Sequence, residues 1–215
     1  MSLKVKVCEA ALAEIHSDMV LGIGTGSTVD CLIDLLPTID HPKWVVSSSE
    51  RTTQNLQRIG IEVRSLNEVG RLDLYLDGAD QVLTNCIALK GKGGAHTIEK
   101  ILATQANQFI GMVSEDKLVS QFSDSVPVEV LNVARSSVAR EIVAIGGIPV
   151  YREGVKTDSG HDIIDVHQLN LTNPEAIETE LSLIPGVVGV GIFAKRRFDK
   201  IYIAGDKINI IENDQ

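Results

Sequence analysis

Apolar residues in the first half of the chain fall into short runs separated by stretches of helical spacing. Met19–Ile23, Trp44–Ser47, Glu62–Arg64, Leu72–Leu76 and Phe109–Val113 read as strands. Between them, Ser27–Leu36, Glu50–Ile59 and Ala95–Ala106 return to apolar positions with helical period. The opening stretch, residues 1–18, mixes charges among its apolar positions and reads as an amphipathic helix. Strand–helix alternation predicts an α/β arrangement, a mostly parallel sheet covered by helices. Ligands of such sheets sit beyond the C-terminal strand ends, where the loops gather.

From about Pro127 the rhythm changes. Val128–Leu131 (strand) leads to Ser137–Ile145 (helix), then Pro149–Arg152 and Ile163–Val166 (strands). Pro174–Ile184 (helix) and Val187–Phe193 (strand) complete a β-α-β-β-α-β order, the ferredoxin-like α+β pattern. The expectation is a small domain over residues 127–196 and a large one over 1–126 and 197–215. Lys200–Ala204 and Lys207–Ile211 would return to the large domain as strands.

Three loops of the first half carry candidate chemistry. Gly22-Ile23-Gly24-Thr25-Gly26-Ser27-Thr28 follows a strand and opens a helix. Its amides, hydroxyls and helix N-terminus suit a phosphate; a glycine turn with Ser/Thr caps explains the residues equally. A dinucleotide fingerprint fails, because Ser27 or Val29 stands where its last glycine belongs, and no Gly-Lys-Ser/Thr makes a P-loop. Leu76-Asp77-Gly78-Ala79-Asp80 ends a buried strand with two carboxylates, either a functional pair or a turn with an Asp cap. Lys90-Gly91-Lys92-Gly93-Gly94 is a flexible cationic loop whose amides can meet developing negative charge. Glu99 lies just beyond it, as a solvated helix residue or one reaching back over the loop. Together a strand-end Asp, a loop Lys and a nearby Glu are what proton shuttling at a sugar carbonyl requires. Lys117, after strand Phe109–Val113, could add a positive charge for a phosphate.

Composition narrows the classes. Lys+Arg 20 against Asp+Glu 29 gives a net charge of −9, which argues against a broad nucleic-acid-binding face. Aromatic residues at 4% leave little for a base-stacking platform. The lysines above can still make one small pocket locally positive. No signal peptide or membrane-length apolar run is visible, since Ile184–Ala194 is short and holds Pro185. Cys8, Cys31 and Cys86 are widely spaced, as in a protein with reduced thiols. The five histidines lack metal-binding spacing, and His96 inside the glycine loop reads as incidental. A soluble cytoplasmic protein is expected.

These residues resemble type A ribose-5-phosphate isomerases over nearly the whole chain. The likeness runs through GIGTGSTV (22–29), SSSERT (47–52), LDGAD (76–80), KGKGGA (90–95), Glu99 and EDK (115–117). It continues through PVEV (127–130), residues 135–147, TDSGHDIID (157–165) and PGVVGVGIF (185–193). The resemblance implies a Rossmann-like large domain and a ferredoxin-like small one. It implies interconversion of ribose 5-phosphate and ribulose 5-phosphate in the non-oxidative pentose phosphate pathway, without metal or organic cofactor. It also implies a homodimer or larger homo-oligomer, with no nucleic acid or membrane partner. Carried over, Glu99, Asp77 and Lys90 are catalytic, with Glu99 the proton acceptor. Thr25, Gly26, Ser27 and Thr28 form one substrate loop, Asp77, Gly78, Ala79 and Asp80 a second, and Lys90, Gly91, Lys92 and Gly93 a third. Lys117 contacts substrate, and Lys4 stands where the family often has a lysine. Two positions depart: Gln81 replaces a usual Glu, and His161 a usual Asn. An amino-sugar-phosphate deaminase, a coenzyme A transferase or a non-catalytic sugar-phosphate sensor would be the competing classes.

Overall fold

The computed structural model describes residues 2–40 and 42–213. The chain begins α1 (Leu3–Leu12), β1 (Val20–Ile23), α2 (Ser27–Leu35), β2 (Trp44–Ser47), α3 (Glu50–Arg58) and α4 (Leu66–Val69). It continues β3 (Leu72–Asp77), β4 (Gln81–Val82), β5 (Ala88–Leu89), α5 (His96–Gln105), β6 (Ala106–Ser114) and β7 (Val126–Val130). Then come α6 (Arg135–Ala144), β8 (Ile148–Tyr151), β9 (Asp162–His167) and α7 (Pro174–Ser182). Last are β10 (Val187–Val190), β11 (Ile192–Phe193), β12 (Lys200–Ala204) and β13 (Ile208–Glu212).

Six strands form the main sheet in the order β13-β12-β6-β3-β1-β2. All neighbours are parallel except β13, which turns back antiparallel on β12. The sheet grows from β1 to one side through β2 and to the other through β3. That reversal opens a crevice beyond the C-terminal ends of β1 and β3. Helices cover both faces, so the central strands are apolar nearly throughout: β1 is buried at every position, and β3 at all but Asp73. Alternation along β6 sends Ile110 and Met112 to a core shared with α1 and α2. Phe109 and Val113 face the other core, with Leu102 and Ala103 of α5. Phe109 stacks on Tyr75 with ring centroids 5.1 Å apart and sits 4.1 Å from Phe198.

Strands β7 to β10 form an antiparallel sheet in the order β10-β7-β9-β8, the ferredoxin-like order that the β-α-β-β-α-β pattern predicts. Val128, Val138, Ile142, Ile164 and Leu181 build a third core there. Three very short strands make a third sheet, β11-β5-β4. The expected strand Val187–Phe193 is in fact two, β10 and β11, in different sheets. Gly191 breaks it: its N–H donates to the Pro127 carbonyl at 2.7 Å, while its carbonyl accepts the Lys90 N–H at 2.8 Å. Residues 62–64 supply only an isolated bridge between Val63 and Val45 instead of a strand. Among the described residues, no helix is long and apolar enough to cross a membrane.

Phe109→Ala should remove the centre of the aromatic cluster and cost about 3–5 kcal/mol. The melting temperature should fall by roughly 2–4 °C per kcal/mol. Val133→Ala, at a residue 93% exposed, should move stability by less than about 0.5 kcal/mol. Equal shifts in thermal melts of the two variants would contradict this core assignment.

Candidate active site

A cavity of about 720 Å³ opens where the C-terminal ends of β1, β3 and β6 lie side by side. Thr25–Thr28 enter it after β1, and Gly78–Asp80 after β3. Met112–Ser114, Asp116 and Lys117 enter from the end of β6. Lys90–Gly93 and Glu99 come from the segment leading into α5 and from α5 itself, and Ser2–Lys4 from the start of α1.

One end of this cavity is built for an anion. The Gly24 N–H donates to the Leu76 carbonyl at 2.9 Å, drawing the loop after β1 against β3. The approach is so close that a Cβ on Gly24 would overlap the Asp77 carboxylate. The chain then enters α2, whose first-turn amides lack intrahelical acceptors. Lys4 Nζ donates to Ser27 Oγ at 2.7 Å, and Ser49 Oγ donates to Thr25 Oγ1 at 3.0 Å. Lys117 Nζ has Asp116 3.7 Å away as a loose partner. Two ammonium groups, hydroxyls and a helix N-terminus facing one space favour a phosphate.

The other end holds a buried charge cluster. Register between β4 and β5 pairs Gln81 with Leu89, and the Asp80 N–H donates to the Leu89 carbonyl at 2.9 Å. The hairpin thereby sets Lys90, the next residue, across from the Asp77–Asp80 turn. Lys90 Nζ lies 2.9 Å from Asp77 Oδ2 and 3.2 Å from Glu99 Oε2, and it donates to the Gly78 carbonyl. Asp77 also accepts from Tyr75 Oη at 2.6 Å, Gly78 N at 2.7 Å and Thr25 N at 3.2 Å. It is fully buried and lies beneath the cavity wall, whereas Asp80 lines the cavity. Glu99 Oε2 is buried at ion-pair distance from Lys90 but without an aligned hydrogen bond. That leaves an acceptor unsatisfied on the cavity wall.

Burial and neighbouring charge set the protonation of this cluster. Burial disfavours the Lys90 ammonium, but Asp77 and then Glu99 outweigh it and push the group above its ordinary range. Glu99 goes the other way. Burial first, then the Asp77 charge, push its carboxyl up to about 8, with Lys90 only partly opposing. At neutral pH Lys90 is therefore a cation, and Glu99 holds a proton that it can release at little cost. Burial also holds His96 neutral, down to about 4, and it does not line the cavity.

Of the residues singled out in the sequence, Thr25–Thr28, Gly78–Asp80, Lys90–Gly93, Glu99, Lys117 and Lys4 converge on the cavity, while Asp77 sits behind it. The Lys92 ammonium turns outward to Asp124 at 2.6 Å, and its N–H donates to Asp80 at 3.0 Å. Gln81 hydrogen-bonds Ser123 instead, at 2.7 Å, and His161 Nδ1 lies 2.8 Å from Glu129, so neither departure reaches the cavity. Sequence reading missed Ser2, Leu3, Met112–Ser114 and Asp116 as wall residues. It also missed Tyr75, whose position two before Asp77 on one strand was the available signal. Among the described residues no three His, Cys, Asp or Glu side chains gather as metal ligands.

Comparison with known proteins shows what the whole chain is similar to. A family model described as ribose 5-phosphate isomerase A (phosphoriboisomerase A) matches residues 44–207. The ribose-5-phosphate isomerase A of Legionella pneumophila (strain Corby) is 50% identical over 204 residues, covering 94% of each chain. The crystal structure of ribose 5-phosphate isomerase A from Neisseria gonorrhoeae is 38% identical, with a TM-score of 0.96, covering 99% of this chain and 97% of that one. A D-ribose-5-phosphate isomerase solved in complex with phospho-erythronic acid is 32% identical, with a TM-score of 0.93 over 98% of this chain and 97% of its own.

The raised Glu99 carboxyl has a consequence for stability. Folding keeps a proton that the unfolded chain releases above its ordinary value of 4.5, so stability falls as pH climbs from there to about 8. Glu99→Gln removes that liability. The variant should melt above the parent protein at pH 8, with the gap closing as pH drops toward 4.5. A gap independent of pH would refute the assignment.

Proposed function

This chain belongs to the ribose 5-phosphate isomerase A family and interconverts D-ribose 5-phosphate and D-ribulose 5-phosphate, and we propose that it does so in the cavity at the strand ends, with Glu99 moving the carbon-bound proton. The observation that carries this reading is the Glu99 carboxyl, buried on the cavity wall with an unsatisfied oxygen and a neutral-range affinity for a proton.

The open-chain aldose binds with its phosphate on the Thr25–Thr28 loop, Lys4 and Lys117, which sets C1 and C2 against the opposite end. Glu99, as carboxylate, takes the proton from C2, and the electron pair moves to the C1 oxygen, giving an enediolate. Lys90 cannot serve as base because its charge is held by two carboxylates. It stabilises the enediolate together with the amides of the Gly91–Gly93 segment. Glu99 then returns its proton to C1 while the O2 proton passes to O1, and the carbonyl stands at C2. Asp80, on the wall, meets the sugar oxygens during ring opening and this transfer. Asp77 stands behind and keeps Lys90 charged and aimed, through the 2.9 Å contact. Phospho-erythronic acid would compete for the site, since its planar carboxylate imitates the enediolate end of the five-carbon sugar.

Residues 127–196 serve in this reading as a separate small domain bracing the site, and the protein works as a cytoplasmic homodimer or larger homo-oligomer. Sizing by light scattering addresses the assembly. For the chemistry, ribose 5-phosphate incubated with the protein in D₂O should yield ketopentose phosphate carrying deuterium. Glu99→Gln should lower kcat by about 10²–10⁴-fold while remaining folded. Unchanged turnover in that variant would remove Glu99 as the base. Lys117→Ala should raise KM with a smaller effect on kcat, and a loss confined to kcat would refute its phosphate role.

A further inference from the structure

Arg152 directly follows β8 of the small antiparallel sheet, yet its guanidinium ends at the glycine loop of the cavity. Its Nε and Nη2 donate to the two oxygens of Asp165 at 2.8 and 2.5 Å, a forked pair that fixes the plane of the group. Both side chains are mostly buried. The remaining Nη1 donates to two backbone carbonyls, Gly91 and Lys92, each at 3.0 Å. Neither Arg152 nor Asp165 lines the cavity.

That contact bears on which way two peptide groups face: the Gly91 carbonyl also accepts the Gly94 N–H at 3.0 Å, whereas the Lys92 carbonyl is turned by Arg152. Among the described residues every peptide bond is trans, so the N–H of each peptide points opposite to its carbonyl. With the Gly91 and Lys92 carbonyls held on Arg152, the following N–H groups, those of Lys92 and Gly93, are turned the other way. The first meets Asp80 at 3.0 Å, and Gly93 is part of the cavity wall. The loop also carries positive φ at Gly91 (113°) and Gly94 (75°), so this conformation is one selected from several that glycines can adopt. A freely relaxing loop would turn carbonyl oxygens toward the cavity as readily as amides, and an oxygen there would repel an enediolate.

We propose that Arg152, locked by Asp165, is a positioning residue for the isomerisation, holding the Gly91–Gly93 backbone so that the Gly93 amide faces the enediolate. The inference rests on the reading that the enediolate forms beside Lys90 and Glu99. Arg152 therefore acts on the transition state more than on the bound sugar.

The test compares Arg152→Ala, Arg152→Lys and Glu99→Gln for kcat, KM and inhibition by phospho-erythronic acid. In Arg152→Ala, kcat should fall about 10- to 100-fold, the size expected of a misplaced catalytic loop. KM should stay within about threefold, inhibitor affinity should drop in step with kcat, and added guanidinium should restore part of the rate. Arg152→Lys keeps the charge beside Asp165 but loses the fork, so a melting temperature near that of the parent with the same kcat and inhibitor losses also supports the proposal. It carries the test alone should the alanine variant not fold. A folded variant with kcat within twofold of the parent overturns the role, as does a kcat loss with inhibitor affinity unchanged. If Glu99→Gln turns over normally, the underlying site reading falls instead. If Glu99→Gln is inactive while Arg152→Ala is normal, only the role of Arg152 falls.

Discussion

One ammonium group among buried carboxylates governs this structure. Lys90 is nearly inaccessible, and Asp77 and Glu99 beside it are buried as well. Such charges are tolerable inside a protein only when paired and hydrogen-bonded. One cation cannot neutralise two anions, so the cluster balances when Glu99 keeps a proton. Asp77 is satisfied by hydroxyl, amide and ammonium donors, whereas Glu99 is left with an unmet oxygen on the cavity wall. The same electrostatics that makes Glu99 costly to bury sets its proton affinity where a carbon acid can be worked on in both directions.

The fold supplies that cluster from unrelated pieces of chain. Parallel strands β1, β3 and β6 end at one level, so their loops arrive together, and the reversal of strand order beside β1 leaves room between them. Lys90 comes from a hairpin too short to be stable by itself, clamped by β11 and the Gly191 carbonyl. Helix α5, which bears Glu99, is tied down one residue later: Lys100 pairs with buried Glu178 and donates to the Ile192 carbonyl at 2.6 Å. Glu178 in turn accepts the Ala194 and Lys195 amides at 2.8 and 2.9 Å. The antiparallel sheet and its helices thus hold the elements that carry Lys90 and Glu99 without lining the cavity.

Much of this was legible in the sequence because it follows from period and position. Most strands of four or more residues flanked by turn chemistry, and helices α2, α3, α5, α6 and α7, could be read within a residue or two. The opening helix, expected over 1–18, instead ends at Leu12, and β6 starts at Ala106, three residues before the expected Phe109. Chemistry-bearing residues after them could be placed at one sheet end. Two-residue strands such as β4 and β5 carry no period, so the hairpin that orients Lys90 was invisible. Gly191 looked like part of an apolar run, since only two hydrogen bonds and an approach of the Lys90 carbonyl too close for any Cβ reveal the break. Asp77 and Asp80 look alike as letters, but the first is the last residue of a buried strand and the second lies beyond it in the loop. Burial separates them. The contacts of Arg152 with the glycine loop span some sixty positions, a separation that no local pattern encodes.

The clamp on Lys90 also bears on how the chain is made. Asp77, Lys90 and Glu99 leave the ribosome early, but the Gly191 carbonyl that fixes the Lys90 backbone follows about a hundred residues later. Strand β12, the neighbour of β6 on the main sheet, is later still. A nascent chain therefore carries a charged hairpin and an unpaired strand edge while a long further stretch is made, from β6 to β12. Such edges invite pairing with other chains. The final segment acts as a keystone, and a chain cut before it would be a substrate for chaperones and proteases before it could be an enzyme.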